Sequence, residues 1–161
     1  MSRTILLSCL LAAGCSPVAT YPSVETNTAK VFANAAHEPT PTVIVKTLEF
    51  AHDRWGGTEE IVFNLPEGVS SDVYDIVAAQ MEGSRPMESA DEPAFHITEL
   101  RIRGLTAQAD IIFPSTTNGL ARATVYLETT LVNPWRVNRE RVWLIPVESA
   151  PPPHWTSVDI Q

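Results

Sequence analysis

The second half of the chain alternates apolar and polar residues with a period of two, and this pattern constrains the fold more than any other feature. Side chains that alternate in this way lie on opposite faces of a β-strand. In the first such stretch, His96 is predicted to share a face with Leu100 and Ile102. Four stretches follow one another with short turns between them, at residues 95–103, 105–113, 123–131 and 135–147. They predict an antiparallel β-meander of about four strands.

Two helical patterns and a short strand precede the meander. Residues 40–55 place Ile44, Leu48 and Ala51 at helical spacing, and Gly56 follows as a helix stop. The β-branched run at residues 43–45 supports the alternative, a strand. The remaining segments predict a short fifth strand at residues 61–65, a second helix at residues 70–81 and a polar loop at residues 82–93.

Two helices laid on the apolar face of a meander make an α+β domain, which we predict as a single unit over residues 42–148. The order of elements, with a helix first and a long closing meander, resembles that of cystatin-like and NTF2-like folds. In those folds a curved sheet grips a helix. The resemblance implies an architecture and carries no activity with it.

The first fourteen residues have the layout of a secretory signal peptide. Arg3 is followed by an uncharged apolar run and then by the small residues Ala12, Ala13 and Gly14. A helix of this length spans about 16 Å, which is too short for the roughly 30 Å core of a membrane. The segment Leu11-Ala12-Ala13-Gly14-Cys15 resembles the lipobox of bacterial lipoproteins.

The lipobox resemblance implies that residues 1–14 are cleaved and that Cys15 receives a diacylglycerol thioether and further acyl chains such as palmitate. Lipid chains of this kind anchor a protein stably to a membrane. Ser16 follows the cysteine, where an aspartate retains such proteins in the inner membrane, so the resemblance implies the outer membrane, facing the periplasm. The alternative is an ordinary secreted protein cleaved near Gly14 with an incidental thiol.

Residues 15–41 are small, polar and rich in proline, and they predict a lipidated cysteine followed by a flexible tether. Such a coil spans about 28 Å, which holds the domain clear of the lipid headgroups. A short helix over residues 28–36 is the alternative. Residues 149–161 form a Pro-rich C-terminal tail, in which three prolines precede Trp155. We predict that the tail docks on the domain, and the alternative is an exposed Pro-Trp ligand for a partner.

Charge and cysteine content exclude some functions. The formal net charge is −8, and cleavage of the leader would remove the positive charge of Arg3 as well. An acidic domain of this kind argues against nucleic-acid binding. Cys9 would be lost with the leader and Cys15 would be lipidated, so we expect neither a disulfide nor a thiol nucleophile.

Arginines concentrate in the meander and form the first candidate site. Side by side, they would make a basic strip for carboxylate or phosphate groups, which guanidinium binds at two points. The members of this candidate anion- or partner-binding strip are Arg101, Arg103, Arg136, Arg139 and Arg141. The alternative is that carboxylates neutralise them across the strands, those of Glu99, Glu128 and Glu140.

A second candidate site is a pocket between helix and curved sheet, lined by His52, Asp53 and His96. The sequence offers no pair of histidines at metal-ligand spacing, no phosphate loop and no Gly-x-Ser-x-Gly. We therefore predict no metal, no cofactor and no catalytic residue, and a hydrogen-bonded interior role for His96.

The function expected from these features is that of a lipid-anchored cell-envelope protein. Its domain would be non-enzymatic and would bind or scaffold an envelope protein or polymer. The alternative is a small-molecule-binding or hydrolytic domain that uses the pocket.

Overall fold

The computed structural model describes residues 18–22, 34–56, 60–115 and 119–155. Within these residues the chain forms two helices and one seven-stranded sheet, which is the predicted α+β architecture. The helices are α1 (Thr40–Trp55) and α2 (Ser71–Gln80). The strands are β1 (Val18–Tyr21), β2 (Ile61–Asn64), β3 (Ser84–Pro86), β4 (Phe95–Arg103), β5 (Thr106–Ser115), β6 (Gly119–Glu128) and β7 (Arg136–Trp143).

Strand β4 organises the sheet, because partners occupy both of its edges. On one edge β5, β6 and β7 follow in antiparallel order, which confirms the predicted meander. On the other edge β2 runs parallel to Phe95 and His96, and β1 runs antiparallel to residues 100–103. Strand β3 pairs in parallel with β2. The sheet is therefore mixed, with its antiparallel part in the meander.

Helix α2 accounts for the parallel pair of β2 and β3. It carries the chain back along the sheet, so that β3 starts at the same end as β2. Residues 84–86 were predicted as part of a polar loop, and that prediction is wrong. The guanidinium of Arg85 holds β3 in place through Glu60 and Glu92, each at 3.0 Å, and Met87 behind the strand is fully buried. A three-residue strand is too short to show an alternating pattern.

Helix α1 covers what we call the inner face of the sheet, and the helical prediction for residues 40–55 is confirmed. One stripe of the helix is fully buried, at Val43, Ile44, Leu48 and Ala51. At the end of the helix Trp55 stacks on Phe113 of β5, with ring centroids 4.2 Å apart. The helix stops at Gly56, where a Cβ atom would lie 2.4 Å from the His52 carbonyl oxygen. A side chain at this position would therefore force the chain to move.

A β-bulge in β4 changes which residues face the core. The register shifts between Ile97 and Glu99, and after the shift Leu100 and Ile102 belong to the same core as Ile97. His96, next to Ile97 in an extended strand, points to the opposite face. The prediction that His96 shares a face with Leu100 and Ile102 is wrong, because one extra residue inverts the alternation.

Part of the predicted tether belongs to the sheet. Ala19 and Tyr21 of β1 are only 2% and 6% exposed, and burial raises the pKa of the Tyr21 hydroxyl. The tether prediction for residues 15–41 is therefore wrong for residues 18–21, and it is wrong as well for Ala35, Thr40 and Pro41, which are buried. Residues 1–17, which include the leader and Cys15, lie outside the described residues, as do residues 23–33 and with them most of the alternative helix.

Candidate functional site

The outer face of the sheet, turned away from α1, brings together all five arginines of the predicted strip. Strand register arranges the outward side chains of β4, β5, β6 and β7 in adjacent rows. The rows are Arg103–Thr106–Glu128–Arg136, Arg101–Gln108–Tyr126–Arg139 and Glu99–Asp110–Thr124–Arg141. We call this three-row surface the arginine face.

Arg122 joins the edge of the arginine face, and sequence reasoning did not include it. It lies opposite Ile112 of β5 and Trp143 of β7, one step beyond the row that ends in Arg141. The signal was available in the sequence, because Ala123 and Val125 of β6 are inward and fully buried. Alternation then requires Arg122 to point outward.

Asp110 is the acidic centre of the arginine face. It is 6% exposed and lies between two guanidinium groups, with Arg122 Nη2 at 3.2 Å and Arg101 Nη2 at 3.9 Å from its Oδ2 atom. The Thr124 hydroxyl donates a hydrogen bond to its other oxygen. Glu99 also binds Arg101 and raises the pKa of that guanidinium. Two of the six arginines are therefore neutralised locally.

Glu128 and Glu140, the other two carboxylates that could neutralise the strip, differ in their partners. Glu128 binds Arg136 at 2.9 Å and also accepts a hydrogen bond from Asn138, and together these hold the pKa of its carboxyl below the usual value. Glu140 lies opposite Val125 on the inner side of the sheet, where it pairs with Arg54 of α1 at 3.0 Å. The alternative that Glu140 neutralises the strip is therefore wrong.

Three arginines of the face form no ion pair with any residue that the structure describes: Arg103, Arg139 and Arg141. Aromatic rings position two of them. The guanidinium carbon of Arg139 lies 4.0 Å from the centre of the Tyr126 ring, and that of Arg141 lies 4.0 Å from the centre of the Trp143 ring. A cation over an aromatic face is held electrostatically without losing its charge. Their charge thus remains available to a bound anion.

A groove of about 690 Å³ runs over the arginine face. Its polar lining residues are Arg101, Arg103, Thr106, Gln108, Tyr126, Asn138 and Arg139. These groups offer guanidinium and amide N–H donors on both sides of the groove, which suits carboxylate and phosphate oxygens. The described residues that line the groove include no carboxylate, histidine or cysteine side chain.

The predicted pocket of His52, Asp53 and His96 does not form. The ring of His52 meets the ring of Phe95 edge-on, at 6.3 Å between centroids, and Asp53 is exposed. His96 follows Phe95 in the strand and points to the other side of the sheet. The two histidines are therefore separated by the sheet itself.

His96 instead belongs to a buried polar cluster at the start of β4. It is 1% exposed, and its Nδ1 atom lies 3.4 Å from Nδ2 of Asn64 on the neighbouring β2. Tyr74 of α2 donates from its hydroxyl to Asn64 Oδ1 at 3.0 Å and accepts from the backbone N–H of Leu65. Burial, followed by the charge of His154, lowers the pKa of His96 to about 4. His96 is thus neutral at physiological pH and is the interior histidine that the sequence predicts.

The C-terminal segment docks over this cluster. Asn64 Nδ2 donates to the Pro152 carbonyl at 2.8 Å, and the His154 backbone N–H donates back to Asn64 Oδ1 at 3.1 Å. The His154 ring Nδ1–H donates to the Leu65 carbonyl at 2.8 Å, and Trp155 packs against the core. For residues 151–155 the docked tail is confirmed and the exposed Pro-Trp ligand is not. Residues 156–161 lie outside the described residues.

The described residues offer neither a metal site nor a membrane-spanning helix. They contain no group of three or more histidine, cysteine, aspartate or glutamate side chains arranged to hold a metal ion. None of their helices has the length and apolar character needed to cross a membrane. Comparisons with protein-family models, with curated proteins and with solved structures gave no significant match to this chain.

Proposed function

We propose that this chain is a lipid-anchored cell-envelope protein whose domain binds, without catalysis, an extended acidic chain on its arginine face. The bound groups are carboxylates or phosphates, carried by an envelope polymer or an acidic protein segment. The anchor is the lipid on Cys15, at the outer membrane and facing the periplasm.

The observation that carries the proposal is the unequal pairing of the arginines. A merely solvated sheet face pairs its charges across strands, as Arg101, Arg122 and Arg136 do. Arg103, Arg139 and Arg141 have no such partner among the described residues, although the chain as a whole has a net charge of −8. Unpaired positive charge gathered on one face of an acidic protein favours an anionic ligand.

The spacing of the arginines favours an extended ligand over a single small anion. Arg101 and Arg139 lie in one row, three strand spacings apart, which is about 14 Å between their backbones. One carboxylate has only two oxygen atoms, which are too few for the N–H donors of the two guanidinium groups and of the amide side chain between them. A chain with repeated anionic groups can engage both sides of the groove at once.

The binding part of the proposal is tested with fluorescent polyglutamate and polyphosphate of defined length. We expect the Arg139→Ala variant to bind at least tenfold more weakly than the parent chain, and binding to fall as salt is raised. Lys46→Ala is the matched control, since it removes one half-exposed positive charge from α1, away from the arginine face. Equal losses in the two variants, or no binding by the parent chain, would contradict this part.

The anchor is tested separately. The motif Leu11-Ala12-Ala13-Gly14-Cys15 supports it, and the Cys15→Ser variant removes the sulfur that would carry the lipid. We expect the parent protein to fractionate with membranes and to show the mass of added acyl chains, and the variant to show neither. A parent protein without added mass rules out the anchor and leaves the arginine face untouched.

A further inference from the structure

We infer that one end of the sheet rests on the bilayer surface, with the tips of two adjacent loops in contact with lipid. The inference rests on the proposed anchor at Cys15 and goes beyond it, because it fixes how the domain is oriented. The contacting side chains are Leu105, Leu131 and Val132. We call this end of the sheet the loop end.

Sheet topology places the start of β1 at the loop end. Val18 lies opposite Arg103, the last residue of β4, and that row continues through Thr106 to Glu128 and Arg136. The turn after β4 contains Leu105, and the loop between β6 and β7 contains Leu131 and Val132. The Thr129 backbone N–H donates to the Leu105 carbonyl at 2.9 Å, so the two loops lie side by side.

Chain length then limits the distance between the anchor and the loop end. Two residues separate Cys15 from Val18, and a fully extended chain advances at most about 3.6 Å per residue. The Cα atom of Cys15 therefore lies within about 11 Å of the Cα atom of Val18. Glu128, the β6 residue of this row, lies three strand spacings from Val18, or about 14 Å. A tether this short does not hold the domain clear of the headgroups.

The loop between β6 and β7 is built to present apolar side chains to its surroundings. Leu131 is 97% exposed and Val132 is 87% exposed. The loop around them is closed by hydrogen bonds: the Thr130 hydroxyl accepts from the backbone N–H of Asn133 at 3.0 Å, and the Asn133 carbonyl accepts from the hydroxyl of Thr129 at 2.8 Å. Apolar groups held outward by an ordered loop are typical of contact with a partner or a membrane.

Exposed apolar side chains are present at both ends of the sheet, so their exposure alone does not show which end contacts the bilayer. Leu144 and Ile145, which follow β7 at the opposite end, are 99% and 69% exposed. The anchor decides, because β1 begins at Val18, at the end of the sheet that carries Leu131 and not at the end that carries Leu144. Arg103, which forms no ion pair with a described residue, ends β4 two residues before Leu105 and suits the phosphate of a lipid headgroup. The structure thus favours a bilayer as the occupant of this surface.

The test uses the full lipidated protein in vesicles of phosphatidylethanolamine and phosphatidylglycerol that contain a nitroxide-labelled lipid. A cysteine introduced as Leu131→Cys carries an environment-sensitive fluorophore. Leu144→Cys is the matched control, since it is equally exposed and lies beyond the eight residues of β7, about 26 Å away. We expect the label at position 131 to be quenched at least threefold more strongly than the label at position 144, with emission shifted to the blue.

Each outcome has a distinct meaning. Equal quenching at the two positions, or stronger quenching at 144, in protein that floats with the vesicles overturns the orientation and leaves the anchor intact. A parent chain that does not float with the vesicles overturns the anchor, and this inference with it. Neither result bears on binding of acidic chains by the arginine face.

Discussion

Asn64 on β2 binds the C-terminal segment at His154: the backbone N–H of His154 donates a hydrogen bond to Oδ1 of Asn64 at 3.1 Å. The same side chain donates to the Pro152 carbonyl and accepts from the hydroxyl of Tyr74, so one buried amide joins three parts of the fold. Burial raises the pKa of Tyr74 to about 12, which keeps its hydroxyl protonated and able to donate. Asn64 therefore helps to hold both the C-terminal segment and helix α2 in place.

The substitution Asn64→Ala should lower the free energy of unfolding by about 3 kcal/mol, because it leaves several buried donors and acceptors without partners. Urea unfolding followed by tryptophan fluorescence measures the change. Asn138→Ala is the control, since Asn138 is exposed on β7, and we expect it to cost less than about 0.5 kcal/mol. Equal effects of the two substitutions would show that the cluster does not hold the tail.

Stability should also fall between pH 7.5 and pH 5 because of His96. Its pKa is about 4 in the folded protein, against an ordinary value of 6.5. The unfolded chain therefore binds a proton at a pH where the folded chain does not, and acid favours unfolding. The loss is about 2 kcal/mol by pH 5, since the contribution of a lowered histidine pKa is present above 6.5 and disappears as the pH falls towards 4.

The variant His96→Gln removes the titrating group and should flatten this pH dependence. Unfolding free energies from urea at pH 7.5, 6.5, 5.5 and 5.0 give the comparison. His37→Gln serves as the control, because His37 is exposed and the variant should keep the full slope of the parent. If His96→Gln and the parent lose the same stability, the pH dependence arises elsewhere.

Removal of the charge on Asp110 should strengthen binding on the arginine face. Asp110→Asn keeps the shape of the side chain but frees Arg101 and Arg122 from a carboxylate at 3.9 Å and 3.2 Å. A charge pair at this distance in water is worth about 1 kcal/mol, so we expect affinity for polyglutamate to rise about fivefold. Titration of the labelled polymer at low salt measures it.

The control for Asp110→Asn is Glu49→Gln, which makes the same change of charge on α1. Its effect on affinity should stay below about twofold, because salt screens a distant surface charge. An Asp110→Asn protein that binds no better than this control would place the acidic chain elsewhere on the molecule.

Sequence patterns predicted the elements that are long and locally regular. Helix α1 and the meander each repeat their period over at least eight residues, and both are present. The two short strands escaped prediction because they are stabilised by distant partners. Strand β1 pairs with β4 about 80 residues later in the chain, and β3 pairs with β2 across a helix. Strand β2 is as short as β1, but a continuous apolar run at residues 61–63 predicted it, and neither β1 nor β3 contains such a run.

Part of the candidate site could be predicted because it lies on long, regular strands. Alternation placed Arg101 and Arg139 on strands, and the meander then aligned them in a row. The site of His96 was not predictable, because the bulge after Ile97 inverts its face and leaves no mark in the sequence. Asn64 gave no signal either, since its partners His154 and Pro152 meet it only in the folded chain.

Strand β1 offers a direct test of where the folded domain begins, because its two faces have opposite surroundings. Ala19 is 2% exposed and faces the core, whereas Thr20 is only partly buried and points outward, opposite Arg101. Ala19→Asp should cost about 3–5 kcal/mol by burying an unpaired carboxylate, and Thr20→Asp should change stability by less than about 0.5 kcal/mol. In a flexible tether both substitutions would be harmless. Thermal unfolding of the two variants at pH 7.5 therefore distinguishes a strand from a tether. Matching melting temperatures would show that residues 18–21 are part of a tether and not a strand.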